Sequence, residues 1–118
     1  MNSKILVCYL FTKFDDELSL KKFLDNYTKI TSGLDHDLLI CFKLLNKNKI
    51  DNLKIFLKNI KYVEYIDSSD VNDYDFGSYK RIANDFSDRN IFFLNSHSYP
   101  ISNFWLKKVF DHFKPNSI

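Results

Sequence analysis

KILVCYLF, residues 4–11, is the stretch on which the architecture turns. After Lys4 every residue is apolar or aromatic, so neither the 3.6-residue period of a surface helix nor the alternation of a half-exposed strand is present. An unbroken run of this length is the pattern of a strand covered on both faces, as in a parallel sheet flanked by helices. It is read as the first strand and a central one.

Outward from this strand the chain alternates. Asp15, Asp16 and Glu17 place acid at a helix start, and Leu20, Phe23, Leu24 and Tyr27 follow at amphipathic helical spacing until Gly33 breaks the pattern. Residues 37–45 repeat the buried-strand signature. Ile50, Leu53, Leu57 and Ile60 repeat the helical one, with Lys54, Lys58 and Asn59 facing out. Residues 62–66 form a third strand, and a polar loop leads to Gly77 and a helical stripe of Tyr79, Ile82, Ala83 and Phe86. Residues 91–94 form the fourth strand, buried by its four apolar side chains. Ser102 caps a last helix through Leu106, Val109, Phe110 and Phe113, which Pro115 stops. The order β α β α β α β α predicts an α/β fold: a three-layer, Rossmann-like, mostly parallel sheet of about four strands with helices on both faces. Ligands of such sheets lie beyond the carboxyl ends of the strands, which directs attention to loops 12–14, 44–47, 67–77 and 95–101.

With 118 residues and 45% hydrophobic content the chain suits one domain with a substantial core. Seventeen basic and fifteen acidic residues, interspersed rather than blocked, argue against a nucleic-acid partner. Apolar runs fall well short of the ~18 residues of a membrane span, and the apolar start lacks a cleavage signal, so a cytoplasmic protein with no transmembrane segment is expected. Cys8 and Cys41 sit among aliphatic and aromatic neighbours without a CxxC partner, the setting of buried free thiols. No Ser-His-Asp order, GxSxG elbow, Walker loop, GxGxxG fingerprint or zinc spacing occurs.

Two loops carry candidate chemistry. In NDYDFGSYKRIAN, Asp75 and Gly77 stand at a helix start with Lys80 and Arg81 one turn in, where backbone N–H groups and two cations could meet a phosphate. The same residues also read as an N-cap, a tight turn and a solvated face. In NSHS, Asn95 and His97 are two apart, so in extended backbone their side chains point the same way, toward one metal ion or one substrate hydroxyl; a plain polar turn is the alternative. Neutral Asn and His suit Mg²⁺ less well than paired carboxylates, so a metal here is weakly held. Asp15, Asp16 and Glu17 are explained by a helix first turn, His36 by a loop, and His112 by a helix end.

The apolar first strand, the loop DFGSYKRIA and the strand IFFLNSHSYP followed by FWLKKVF together resemble the nucleotide-sugar half of type A glycosyltransferases. The usual form there is an Asn-x-Gly or Asp-x-Gly helix start, then an apolar strand ending in Asp-x-Asp, then a short loop with Pro and a Trp-Leu helix. DFGSY and FLNS look most like the bacterial rhamnan-synthesis-type enzymes that build cell-surface polysaccharide. The resemblance implies a nucleotide-diphosphate sugar as partner, with Thr12 and Phe14 toward the base or ribose, Asp75 and Gly77 on the nucleotide side, and Lys80 or Arg81 near the diphosphate. It places Asn95 and His97 where the Asp-x-Asp stands, with Mn²⁺ or Mg²⁺ as the implied cofactor. It also implies a truncated unit, residues 1–118, in which the acceptor half and its base would come from a partner chain or a second copy. The competing expectation is a non-catalytic protein-interaction module built on the same fold, using Tyr99, Phe104 and Trp105.

Overall fold

A computed structural model describes residues 3–68 and 74–112. Its elements run β1 (Ile5–Thr12), α1 (Glu17–Lys29), β2 (Asp37–Lys43), α2 (Lys47–Lys54) continued by a 3₁₀ turn (Ile55–Leu57), β3 (Val63–Asp67), α3 (Tyr74–Asp85), β4 (Asn90–Leu94) and α4 (Trp105–His112). The strands form a four-stranded sheet in the order β3-β2-β1-β4, and every pairing is parallel. The α/β class and the Rossmann-like arrangement read from the sequence are therefore present.

The apolar run 4–11 owes its uniformity to β1 being interior. Cys8 faces Leu39 on one neighbour and Phe93 on the other, and residues 6–11 are buried throughout. Alternate side chains serve opposite layers. Val7, Tyr9 and Phe11 with Leu38, Ile40 and Phe42 pack under Leu20, Phe23 and Leu24 of α1, Ile50 and Leu53 of α2, and Leu106 of α4. Leu6, Cys8 and Leu10 with Leu39 and Cys41 meet Ile82 of α3, flanked by Tyr79 and Phe86. Both cysteines are buried free thiols.

Four boundaries or burials differ from the sequence reading, each for a local reason. Strand β4 is an edge strand and only partly buried, because nothing among the described residues pairs on its far side. Helix α2 gives way to the 3₁₀ turn at Ile55, whose N–H reaches Asn52 O three residues back. Helix α3 begins at Tyr74, so Gly77 lies within its first turn rather than before it. Helix α4 begins at Trp105, not after Ser102, since Phe104 takes a left-handed φ of 63°. Its start is docked on the segment that follows α1 by Phe104 N–H to Thr31 O at 2.7 Å and by the Leu106 and Lys107 N–H groups to Ser32 O at 3.1 Å. That contact requires Gly33, whose φ is 82° and where an added Cβ would stand 2.8 Å from Phe104 Cδ1. Phe113 and Pro115 lie outside the described residues, as does the stretch 69–73 of the third loop. Among the described residues no helix is long and apolar enough to cross a membrane.

Candidate ligand cleft at the sheet switch point

From β1 the chain moves through β2 to β3, then crosses back to place β4 on the other side of β1. The reversal falls between β1 and β4, where sheets of this kind open a crevice beyond the carboxyl ends of the strands; α1 and α4 pack on one face of the sheet and α3 on the other. A cleft of about 420 Å³ occupies this position. Leu10, Thr12, Phe14 and Asp15 line it from β1 and its loop, Lys43 and Leu44 from β2, Asp75 from α3, and Asn95, Ser96 and His97 from the loop after β4.

The two loops are tied together by one carboxylate. Asp15 Oδ2 accepts from the Thr12 N–H at 2.8 Å and from Thr12 Oγ1 at 3.0 Å, while Asp15 Oδ1 accepts from Ser96 Oγ at 2.5 Å. On the floor, the buried Tyr9 hydroxyl donates to Ser96 O at 2.8 Å. Burial, reinforced by the Asp15 charge, pushes the Tyr9 phenol well above its ordinary range, so it stays a neutral donor. Asp15 is thus neither part of α1 nor its cap: Asp16 is the N-cap, accepting from the Leu18 N–H at 2.9 Å, and Glu17 opens the helix. Only the latter two fit the first-turn reading of the acidic triplet.

At the mouth, the Phe14 ring is 67% exposed, and Lys13 Nζ stands 5.2 Å from its centroid. Asp75 lies in the first turn of α3, one turn before Tyr79, whose phenol is held well above its ordinary range by burial and then by the Asp75 charge. Lys43 ends β2 with 1% exposure, in register with Thr12 on one side and Asp67 on the other.

The structure brings together Thr12, Phe14, Asp75, Asn95 and His97, drawn from three separate loops of the sequence reading, and leaves Gly77, Lys80 and Arg81 off the lining. Lys80 is exposed on α3. The Arg81 guanidinium grips Asp67 in two bonds, Nε to Oδ1 at 3.0 Å and Nη2 to Oδ2 at 2.6 Å, and Ser78 Oγ donates to the same carboxylate at 2.6 Å. Asp67 has a side chain only 1% exposed, so this cluster anchors α3 to the end of β3. Asn95 and His97 do not share an extended segment: the backbone turns immediately after Leu94, and Asn95 Oδ1 accepts from the His97 N–H and from Ser98 Oγ, each at 3.0 Å. With its oxygen committed to that turn and no charge on either side chain, the pair does not fit Mg²⁺ or Mn²⁺. Among the described residues no group of three or more His, Cys, Asp or Glu side chains is placed to hold a metal ion. His36 lies at the opposite end of the sheet, its Nε2 2.7 Å from the Tyr27 hydroxyl and its Nδ1 3.0 Å from Leu34 O, a loop residue as read.

Two charged cleft residues escaped the sequence reading, Asp15 and Lys43, while Ser96 lies in the nominated loop 95–101 but was given no role of its own. Asp15 left a signal in the Thr12-x-x-Asp15 spacing, in which the acid reaches back to the Thr N–H as in a capping box. Lys43 left one too, as a cation inside an apolar run. In comparisons with known proteins, no family model, no curated protein and no solved structure matches this chain.

Proposed function

We propose that this chain is a glycosyltransferase-like domain that binds a nucleotide-diphosphate sugar in the switch-point cleft, serving assembly of cell-surface polysaccharide. The observation that carries the reading is the convergence of the loops after β1 and β4, with Asp75 of α3, on one cleft of about 420 Å³, a size suited to a small organic ligand. Its lining matches the chemistry of such a ligand. Phe14 offers an exposed ring on which a base can stack, Asp75 and Asp15 are acceptors for ribose or sugar hydroxyls, and His97 and Asn95 stand at the rim.

The test is isothermal calorimetry of the chain with UDP, GDP and dTDP and with the free nucleosides. Saturable binding of at least one nucleotide, weakened in Phe14→Ala, supports the reading. A chain that binds none of them is not a nucleotide-sugar domain. A second reading, a protein-interaction module with a second copy or another chain as partner, is favoured by the exposed Phe76, Ile101 and Phe104, which are 82%, 79% and 52% exposed. A sedimentation mass well above 14.1 kDa with no nucleotide binding would favour it.

A further inference from the structure

We propose that Lys43, on β2, is the residue that meets the phosphate charge of the ligand, in place of the α3 cations Lys80 and Arg81. The inference rests on the nucleotide-diphosphate reading of the cleft. Among the described lining residues Lys43 is the sole Lys or Arg. It stands at the end of an interior strand, between Thr12 and Asp67 in register, so its position is fixed by the sheet rather than by a loop.

An ammonium that is 1% exposed is costly to bury unless anions face it. Asp67 stands beside Lys43 in register, its carboxylate also accepting from Ser78 Oγ and from two guanidinium nitrogens of Arg81. An ammonium carries three donors, so Lys43 can serve a protein partner and a phosphate oxygen at once. In a site this shielded from water, a charge-assisted bond to phosphate is stronger than one made by the exposed Lys80. Arg81 is unsuited for a different reason, since its fork is spent on Asp67. The carboxylates of the lining are engaged within the protein: Asp15 turns its oxygens to three protein donors, and Asp75 sits in the first turn of α3, where the helix dipole favours negative charge. The arrangement therefore selects a ligand with a phosphate toward the sheet and hydroxyls toward Asp75.

The experiment is calorimetry with UDP, uridine and inorganic pyrophosphate on the wild type, Lys43→Gln and Lys80→Gln. Expected are a 10- to 100-fold loss of UDP and pyrophosphate affinity in Lys43→Gln, the range of one lost hydrogen bond to a charged group, with uridine and the Lys80→Gln protein within about threefold of wild type. Wild-type UDP affinity in a folded Lys43→Gln overturns the assignment while the nucleotide reading stands. Pyrophosphate binding that Lys43→Gln abolishes, without any nucleotide preference, sustains the Lys43 assignment and removes the nucleotide reading. Absence of binding to all three ligands removes both. If Lys43→Gln does not fold, the wild-type Lys43 ammonium resonance, followed by NMR during the UDP titration, decides: a shift on saturation supports the assignment, and an unmoved resonance with UDP bound overturns it.

Discussion

Replacing Asp15 separates two accounts of the acidic triplet. Were Asp15 a first-turn acid, its removal would cost the few tenths to 1 kcal/mol of a helix-dipole interaction. The structure instead gives it three accepted hydrogen bonds, from the Thr12 N–H, Thr12 Oγ1 and Ser96 Oγ, across 81 residues of sequence in the last case. Bonds to a charged acceptor contribute about 1.5 kcal/mol or more each when buried, and the partial exposure of this site lets water recover part of that, so Asp15→Ala should lose about 2–3 kcal/mol. For a chain of this size that is a fall in Tm of about 10 °C. Asp15→Asn should lose only about 1 kcal/mol: the amide oxygen can keep the Thr12 N–H, and the amide N–H₂ can face Ser96 Oγ, whose hydroxyl rotates to accept. The control is Asp16→Ala, which removes the N-cap of α1 and costs about 1 kcal/mol without disturbing the cleft. Urea and thermal unfolding followed by circular dichroism measure all three. Equal losses in the Asp15→Ala and Asp16→Ala proteins, or an Asp15→Asn loss as large as that of Asp15→Ala, would refute the bridging role.

Arg81→Ala is expected to act on stability rather than on ligand binding: Asp67, 1% exposed, loses both guanidinium bonds, at a cost of about 2–3 kcal/mol because the arginine itself is 34% exposed. Nucleotide affinity measured on the folded variant should stay within about twofold of wild type. At high pH the chain should lose stability through its buried acids. Burial, then the Asp67 charge, pushes the Cys41 thiol up to about 12, and burial, then the Asp37 charge, pushes the Tyr27 phenol up to about 12. Both stay protonated in the folded state while the unfolded chain ionises them from their ordinary values of 9.0 and 10.0 upward, so their contribution is full below pH 9 and drains away between pH 9 and 12. Urea midpoints should fall steadily from pH 9 to 11, Tyr27→Phe should flatten the fall above pH 10, and neither thiol should react with iodoacetamide at pH 8 while the chain is folded.

How much was legible in the sequence follows from the range of each interaction. The β/α alternation is written in local periods, and an unbroken apolar run such as 5–11 has few ways to be buried other than as an interior parallel strand. For the same reason Leu20, Phe23 and Leu24 identified the core face of α1, and Cys8 and Cys41 read correctly as buried thiols. The loops that meet at the cleft could be nominated because, in α/β sheets, carboxyl-end loops form the site wherever strand order reverses. What remained was decided by pairing between segments far apart in the chain. Whether β4 lies at the edge depends on which strand pairs with it, and four apolar residues in a row look alike in either place. Arg81 reads as a solvated or phosphate-facing cation until Asp67, fourteen residues earlier, is seen beneath it. Asp15 reads as a helix acid until Ser96 closes on it, and Lys43 as a stray cation until Thr12 and Asp67 come into register beside it. Local periodicity thus determined which segments are strands and helices and which side each buries. The chemistry of the cleft was set by tertiary structure, because a charge acquires its role from the partner it meets, and those partners come together only when the sheet assembles.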